Sequence, residues 1–564
     1  MELAVEKIKD GATLRGTGDN WDMRVLKHHM RRDISNDDLH LFASNLIENR
    51  INFSNLDNEI PKQDIQSVSR TIFSPSENEI NVYRKNAKIL VGRIAAALFP
   101  SLLPLKKIVP THIKHKYSEK MKKKSLIISM PIINANEQNY ADCVKILRTY
   151  EEWIGDIYKE AGFISESPNM ENPEIIDFAV ATGQPKGFTV HSKDDPCKNM
   201  KIMFAGDQLT RVRFAGAKDL LSGSHTPSDR LEHCSPFKGV MWHTKASFLQ
   251  YSFNLLFNAE SVNQVGTLKY FREKYNRINV KPAKVIDCYE GAEEFFLSVG
   301  KAYIVAALVE LLEVKDLNEK PKDLNNLKTF FDEKFEVFVN RYVFGNDLPS
   351  DYDYVENYAI NIIFLTVMLL QLKDTAAEGD GDRNLINQKF LMTLFKSMGS
   401  MSRYAIEMFV AIAQTECLLT PRLSEEFKWG YFVNWKGGEG NNIEDDLAQE
   451  ICNKLSKSIV QRMGANKTIE SISKICKSVS GLKKVTEQLD KVLDFKPKSS
   501  RHTTRSSETD EKCMIEELLL LRPFKHVPGR NHASFSQITR MPMRNLNILE
   551  FHQWVEKQRS YMCK

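Results

Sequence analysis

The spacing of apolar and polar positions changes character once along the chain. Up to about residue 250, short apolar runs alternate with longer amphipathic stretches, an α/β signature. Runs at Thr13–Gly18, Ser125–Met130, Gly187–His191, Lys201–Ala205 and Gly239–Trp242 predict strands. Between them, Asn81–Phe99 and Asn139–Phe163 repeat apolar residues at intervals of three and four, which predicts helices. From Lys245 to about Phe432 nearly every segment carries the helical period, broken by stretches such as Glu378–Asp382. A loop rich in Gly and Asn, Asn434–Asn442, precedes a further helix with acidic residues in its first turns. The expected organisation is a first core segment over 1–244, a helical block over 245–433, helices that resume the core over 434–495, a polar Ser/Thr-rich linker over 496–512 and a C-terminal appendage over 513–564.

Composition narrows the class. With 42% hydrophobic and 10% aromatic residues, most of the 564 residues can fold around cores. The nine cysteines are odd in number, scattered and without a C-x-x-C pair, which fits reduced thiols better than a disulfide framework. The longest near-continuous apolar stretch, Ala359–Leu372, falls short of the ~20 residues that span a bilayer. These features point to a soluble, intracellular protein with no membrane partner. A net charge of +5 says little about partners, but its distribution says more. Lysines crowd into Ile113–Lys124, and Lys120, Lys122, Lys123 and Lys124 lead directly into an expected strand. Such a run either lies along phosphates or is a solvated linker, and the sequence leaves both open.

Candidate chemistry gathers where apolar runs end in acids. "KIMFAGDQLT" carries Asp207 after a glycine and before an amide, and "LRGTGDNWDM" does the same with Asp19. In both, glycine lets the backbone turn at a strand tip and the amide can orient the acid. Two strand-end carboxylates suit a hard divalent ion such as Mg²⁺, which needs a further acid near the sheet. Glu450, after the helical block, is the preferred third acid, with Glu416, Asp445 and Asp446 as competitors. "GVMWHTKASF" brings His243 and Lys245 to another expected strand end, where His243 either positions a phosphate or water or satisfies a core carbonyl. A zinc set of His225, His233, Cys234 and His243 matches no ligand spacing. The chain has no G-x-S-x-G, no phosphate-binding G-x-x-x-x-G-K-[ST] and no G-x-G-x-x-G after a strand, which argues against nucleophilic-serine, ATP-driven and nicotinamide chemistry.

"GDNWDMRVLKHHMRRDISNDDLHLFASNLIENRINF", "MPIINANEQNYADCVKIL", "AGDQLTRVRFAGAKDL", "DRLEHCSPFKGVMWHTK", "GTLKYF", "NNIEDDLAQEICNKLSK" and "PGRNHASF" occur in this order in the chain. In that order they resemble a large uncharacterised family of transposon-derived proteins, a domain of unknown function. The layout is similar to hAT-like DDE transposases. That resemblance implies a helix-rich α/β fold, an RNase H-like mixed sheet core interrupted by a large all-α insertion. It implies Asp19, Asp207 and Glu450 as the three metal-binding acids, His243 as the histidine near them, and Mg²⁺ or Mn²⁺ as cofactor. Lys245, Arg211, Arg213 and the lysine run would then hold a DNA backbone by charge, without reading bases. The implied activity is metal-dependent DNA cleavage or strand transfer, in a nuclear protein whose self-association stays open. The alternative is a transposon-derived DNA-binding or scaffold protein that has lost the chemistry. Asp19 lies only 18 residues from Met1, so the expectation includes a fragment, a truncated gene model or a domesticated remnant.

Overall fold

In Leu14–Val25 the period is two. Trp21, Met23 and Val25 are buried while Asp22 and Arg24 are exposed, the signature of a strand with one covered face. In the computed structural model this segment is β1, and it pairs antiparallel along its whole length with β2, Asp37–Glu48, from Leu14 opposite Glu48 to Val25 opposite Asp37. β3 (Ile127–Ser129) adds antiparallel to β2, and β4 (Ile202–Gly206) and β5 (Cys234–Gly239) continue in parallel beyond β1. The result is one mixed five-stranded sheet in the order β3-β2-β1-β4-β5, with a separate hairpin of β6 (Phe432–Asn434) and β7 (Asn442–Glu444). The structure describes residues 2–25, 36–164, 200–346, 348–349, 352–397, 399, 402–463, 467–492 and 507–562.

Several expectations are corrected here. β1 does not stop at Gly18 but runs on to Val25, and β2 was not anticipated at all. The strand expected at Gly239–Trp242 lies earlier, at Cys234–Gly239, and "MWHTK" begins a helix, Met241–Leu256. The run at Gly187–His191 falls outside the described residues. The polar segment gives way to helix at Glu508, ahead of its expected end. Gly16 and Gly18 make no turn either. A Cβ on Gly16 would lie 2.1 Å from the Phe204 ring and one on Gly18 2.6 Å from the Phe42 ring, so both glycines make room for aromatics within the sheet.

The chain divides into two compact units. Unit one comprises Met1–Pro61, Glu119–Trp242 and Leu419–Lys498, and unit two comprises Lys62–Ser118, His243–Leu418 and Ser499–Lys564. Residues 62–118, read from sequence with the first core segment, therefore group with the helical block. In unit one, helices Glu2–Lys9, Tyr140–Glu160 and Gln208–Leu220 pack on one sheet face through Phe42, Leu46, Tyr150 and Phe214. On the other face, Trp21, Met23, Leu41 and Ala43 meet Val460 and Ile472 from helices Asp445–Gln461 and Ile469–Val492. A sheet covered on both faces is the usual setting for parallel strands.

Unit two is all helix among the described residues. Tyr289–Leu311 and Tyr354–Glu378 are apolar nearly all round, as central helices are. They approach closely at Gly300, where a Cβ would lie 2.0 Å from Thr366 Oγ1. By length and composition Tyr354–Glu378 could cross a membrane, yet its most apolar window is 94% buried inside the fold.

Candidate active site at the ends of the parallel strands

Asp207 follows the last residue of β4 and caps helix Gln208–Leu220, its Oδ1 accepting the Thr210 amide at 2.7 Å. Parallel pairing sets Gly16 beside Phe204 and Thr17 beside Ala205. The paired part of the two strands ends there; Asp19 lies two residues further along β1, and Asp207 directly follows the end of β4 at Gly206. Asp19 is thus mid-strand rather than at a strand tip, since β1 outlasts β4. Its carboxylate accepts the Asn20 amide at 2.8 Å.

Helix Asp445–Gln461 crosses the sheet above this point. Asp445 forms a fully buried pair with Lys238 of β5 at 2.8 Å, and Asp446 Oδ1 accepts the Trp242 amide at 3.2 Å. Two turns later Asn453 Nδ2 reaches the Asn20 carbonyl at 3.5 Å and Ser456 Oγ accepts Trp21 Nε1 at 2.8 Å. Glu450 follows Asp446 by four residues and precedes Asn453 by three, so it shares their stripe. It is half-buried and has no hydrogen bond or ion pair among the described residues. Its three competitors are otherwise engaged: Asp445 and Asp446 as above, and Glu416 in unit two with Lys62 at 3.8 Å and Lys389 at 3.5 Å.

Sequence reasoning missed one acid. Glu137, in the loop before helix Tyr140–Glu160, is 1% exposed. Its two oxygens accept Asn20 Nδ2 and Thr210 Oγ1, both at 2.6 Å. Its pKa is raised from 4.5 to about 7, chiefly by burial; the Thr210 hydroxyl and Arg213 oppose the rise, and Asp207 and Asp22 add to it. The site therefore joins Asp207, Asp22 and Glu137 electrostatically, with Arg213 as the near cation. A lone Glu in an Asn-rich loop gives no signal of such burial, because its partners come from two other elements.

The remaining candidates separate. Arg211 and Arg213 share a helix, but two residues put them on different faces, and only Arg213 acts on Glu137. His243 belongs to unit two, in the first turn of its helix and half-buried, not at a strand end. Lys245 is corrected: it is 5% exposed, 3.8 Å from Glu293 and over the Tyr289 ring, so it does not offer its charge to a phosphate. Of the lysine run, Lys120, Lys123 and Lys124 are exposed and Lys122 pairs with Glu119, while their backbone is held by Gly438 and Arg50. The zinc set does not assemble: His233 Nδ1 is 2.6 Å from the buried Glu151, whose other oxygen accepts the Cys234 amide.

The donors that Asp19, Asp207 and Glu450 offer are carboxylate oxygens, the type that hard ions such as Mg²⁺ and Mn²⁺ take. Among the described residues, the group of three ligand atoms all within 4.8 Å of one another is Asp353, Glu356 and His526 of unit two; Asp19, Asp207 and Glu450 do not form one.

The sequence matches the family of unknown function DUF6589 over residues 63–502. The chain belongs to this family. The DUF6589 match includes Glu137, Asp207, His243 and Glu450, and it begins after Asp19. No curated protein and no solved structure matches the chain.

Proposed function

We propose that this DUF6589 member cleaves or transfers DNA strands at the acidic end of its sheet, with an RNase H-like core of the kind found in hAT-like DDE transposases. The observation that carries the reading is the register that pairs Thr17 with Ala205, because Asp19 lies two residues beyond that pair on β1 and Asp207 two residues beyond it on the chain that leaves β4. Support also comes from the strand order, from two antiparallel strands on one side of β1 and two parallel ones on the other, and from Glu450 on the covering helix, which has no hydrogen bond or ion pair among the described residues. In this reading Asp19, Asp207 and Glu450 hold Mg²⁺ or Mn²⁺, which supplies Lewis-acid activation of a water or 3′ hydroxyl and stabilises the leaving oxygen. Asn20 and Thr210 fix Glu137, whose elevated pKa lets it hold a proton near neutrality. The exposed lysines Lys120, Lys123 and Lys124 and the helix arginines Arg211 and Arg213 hold phosphates.

The test is Mn²⁺-dependent nicking of supercoiled plasmid by the purified chain. Asp207→Asn should lower nicking at least ~100-fold and move stability by less than about 0.5 kcal/mol, because Asn caps a helix as well as Asp does. Equal nicking by the variant removes the assignment. A second reading, a DNA-binding scaffold without chemistry, is favoured by one observation: Asp207 already serves as a helix cap, and the three acids do not converge within 4.8 Å. DNA binding with no nicking by the unaltered chain would select it.

A further inference from the structure

Unit two holds an apolar cavity of about 460 Å³, within the ~300–1,000 Å³ range of small-molecule sites. Helices Tyr354–Glu378 and Gly381–Ser397 contribute Phe364 and Phe390 to its wall. The C-terminal stretch that runs into helix Ile548–Met562 closes it with Met541, Met543, Leu546 and Phe551. Phe364, Phe390, Met541 and Phe551 keep 3–6% of their surface exposed, as side chains bordering a void do, whereas Ile363, Leu365 and Leu391 of the same two helices keep none. Packed cores leave few voids larger than a water molecule, so a space of this size calls for an occupant. Its wall is set by backbone as well. Met541 sits at φ +60°, a conformation that side chains other than glycine rarely adopt, and its sulfur lies 2.4 Å from where a Cβ on Gly345 would be, at φ +73°.

Two features at the mouth sort the ligands. Ile548 lines the cavity yet is 66% exposed, and Leu549 beside it equally so, which gives the entrance an aliphatic lip. Arg544 stands at the exposed rim, its guanidinium donating to the Gly345 carbonyl at 3.1 Å, and half-buried His552 is a second lining group able to carry positive charge. No carboxylate lines the cavity among the described residues. An apolar interior with a cation at its mouth suits a molecule with an apolar body and one negative end. We propose that this cavity binds a fatty acid, its tail among the phenylalanines and its carboxylate at Arg544, which can take both oxygens. The two methionines, unbranched and polarizable, can follow the bends of a flexible chain. The inference concerns unit two alone and stands apart from the acidic strand ends of unit one.

The test is calorimetric titration of the full chain with dodecanoate kept below its micelle concentration, which should saturate at about one molecule per chain. Each methylene added between octanoate and dodecanoate should tighten binding about fourfold. Dodecylamine, the same tail with a positive end, should bind at least about tenfold more weakly. Arg544→Gln should raise the dodecanoate Kd about tenfold and leave that of dodecan-1-ol within about twofold. Ile548→Glu, which sets a like charge on the exposed lip, should also raise the dodecanoate Kd about tenfold. If either variant does not fold, the comparison of carboxylate with amine on the unaltered chain decides. The proposal is overturned if ~1 mM dodecanoate gives no saturable heat, if the amine binds as tightly as the carboxylate, or if both folded variants bind dodecanoate as the parent does.

Discussion

Each unit carries a cluster of carboxylates, and the two have been treated in opposite ways. In unit two, Asp353, Glu356 and His526 bring their polar atoms within 4.8 Å of one another, the tighter grouping by distance. Yet the charge there is already met. Asp353 caps helix Tyr354–Glu378 and takes Arg530 at 2.7 Å, and Glu356 takes His526 at 2.8 Å and Arg540 at 3.5 Å. Two guanidiniums beside two carboxylates leave nothing for a cation to neutralise. In unit one, Asp19, Asp207 and Glu450 do not form such a group; Asp207 accepts the Thr210 amide, Glu137 accepts Asn20 and the Thr210 hydroxyl, and Arg213 acts on Glu137 as a nearby cation. The comparison teaches that crowding of acids is a poor guide to a metal site. The better guide is whether the fold already supplies the countercharge, as Arg530 and Arg540 do in unit two.

The sharpest break of that contrast is in unit two. Arg540 is 2% exposed, and truncating it leaves Glu356, fully buried, without its guanidinium. Arg540→Ala should destabilise by about 3–5 kcal/mol, read as a lower urea midpoint. A loss under ~1 kcal/mol would show that the unit-two cluster is not a structural ion-pair network.

Next in size is the acid that unit one buries, Glu137. Folding raises the Glu137 pKa from 4.5 to about 7, so between those values the folded chain holds a proton that the unfolded chain has released. Stability should therefore decline as pH rises from about 4.5 to about 7, by at most ~3.4 kcal/mol at 1.36 kcal/mol per pH unit. Glu137→Gln keeps an acceptor for Asn20 or Thr210 and removes the titration. Its stability should match the parent near pH 4.5 and exceed it above pH 7, in urea unfolding at both pH values. A variant with the parent's pH dependence would assign the proton to another group.

What was legible in the sequence follows from these physics. Asp207 could be read because an apolar run, a glycine, an acid and an amide are local, and so is the cap that they make. Most of the helical block expected over 245–433 could be read because Tyr289–Leu311 and Tyr354–Glu378 carry their own period, although unit two ends its part at Leu418 and Phe432–Asn434 is a strand. Asp19 was singled out on a reading of its glycines that the fold corrects. Its glycines mark room for Phe204 and Phe42, not a strand tip, and only the paired strands reveal that. β2 escaped because Asp37–His40 reads as polar surface, although it pairs fully with β1. Glu137 escaped because burial depends on Asn20 and Thr210, more than 70 residues away on either side. Lys245 was misjudged for the same reason, since Glu293, which takes its charge, lies in another helix.

The smallest expected effect concerns the lysine run, which the two units share. Lys114 and Lys116 fall in unit two, where Lys116 pairs with Asp382 at 3.2 Å, and Lys123 and Lys124 fall in unit one with their side chains exposed. If unit one is the part that meets DNA, these two sets should differ although they are neighbours in sequence. Each phosphate contact contributes a slope of about −0.9 to the dependence of log K on log salt. Lys123→Gln with Lys124→Gln should flatten that slope by about 2, and Lys114→Gln with Lys116→Gln should leave it within about 0.5 of the parent. Neither pair should change stability by more than about 0.5 kcal/mol, because substitutions at exposed charges rarely do. The measurement is a salt titration of duplex DNA binding by fluorescence anisotropy. Equal flattening by both pairs would make the run a diffuse cationic tether, and no flattening by Lys123 and Lys124 would confine DNA contact to Arg211, Arg213 and the strand ends.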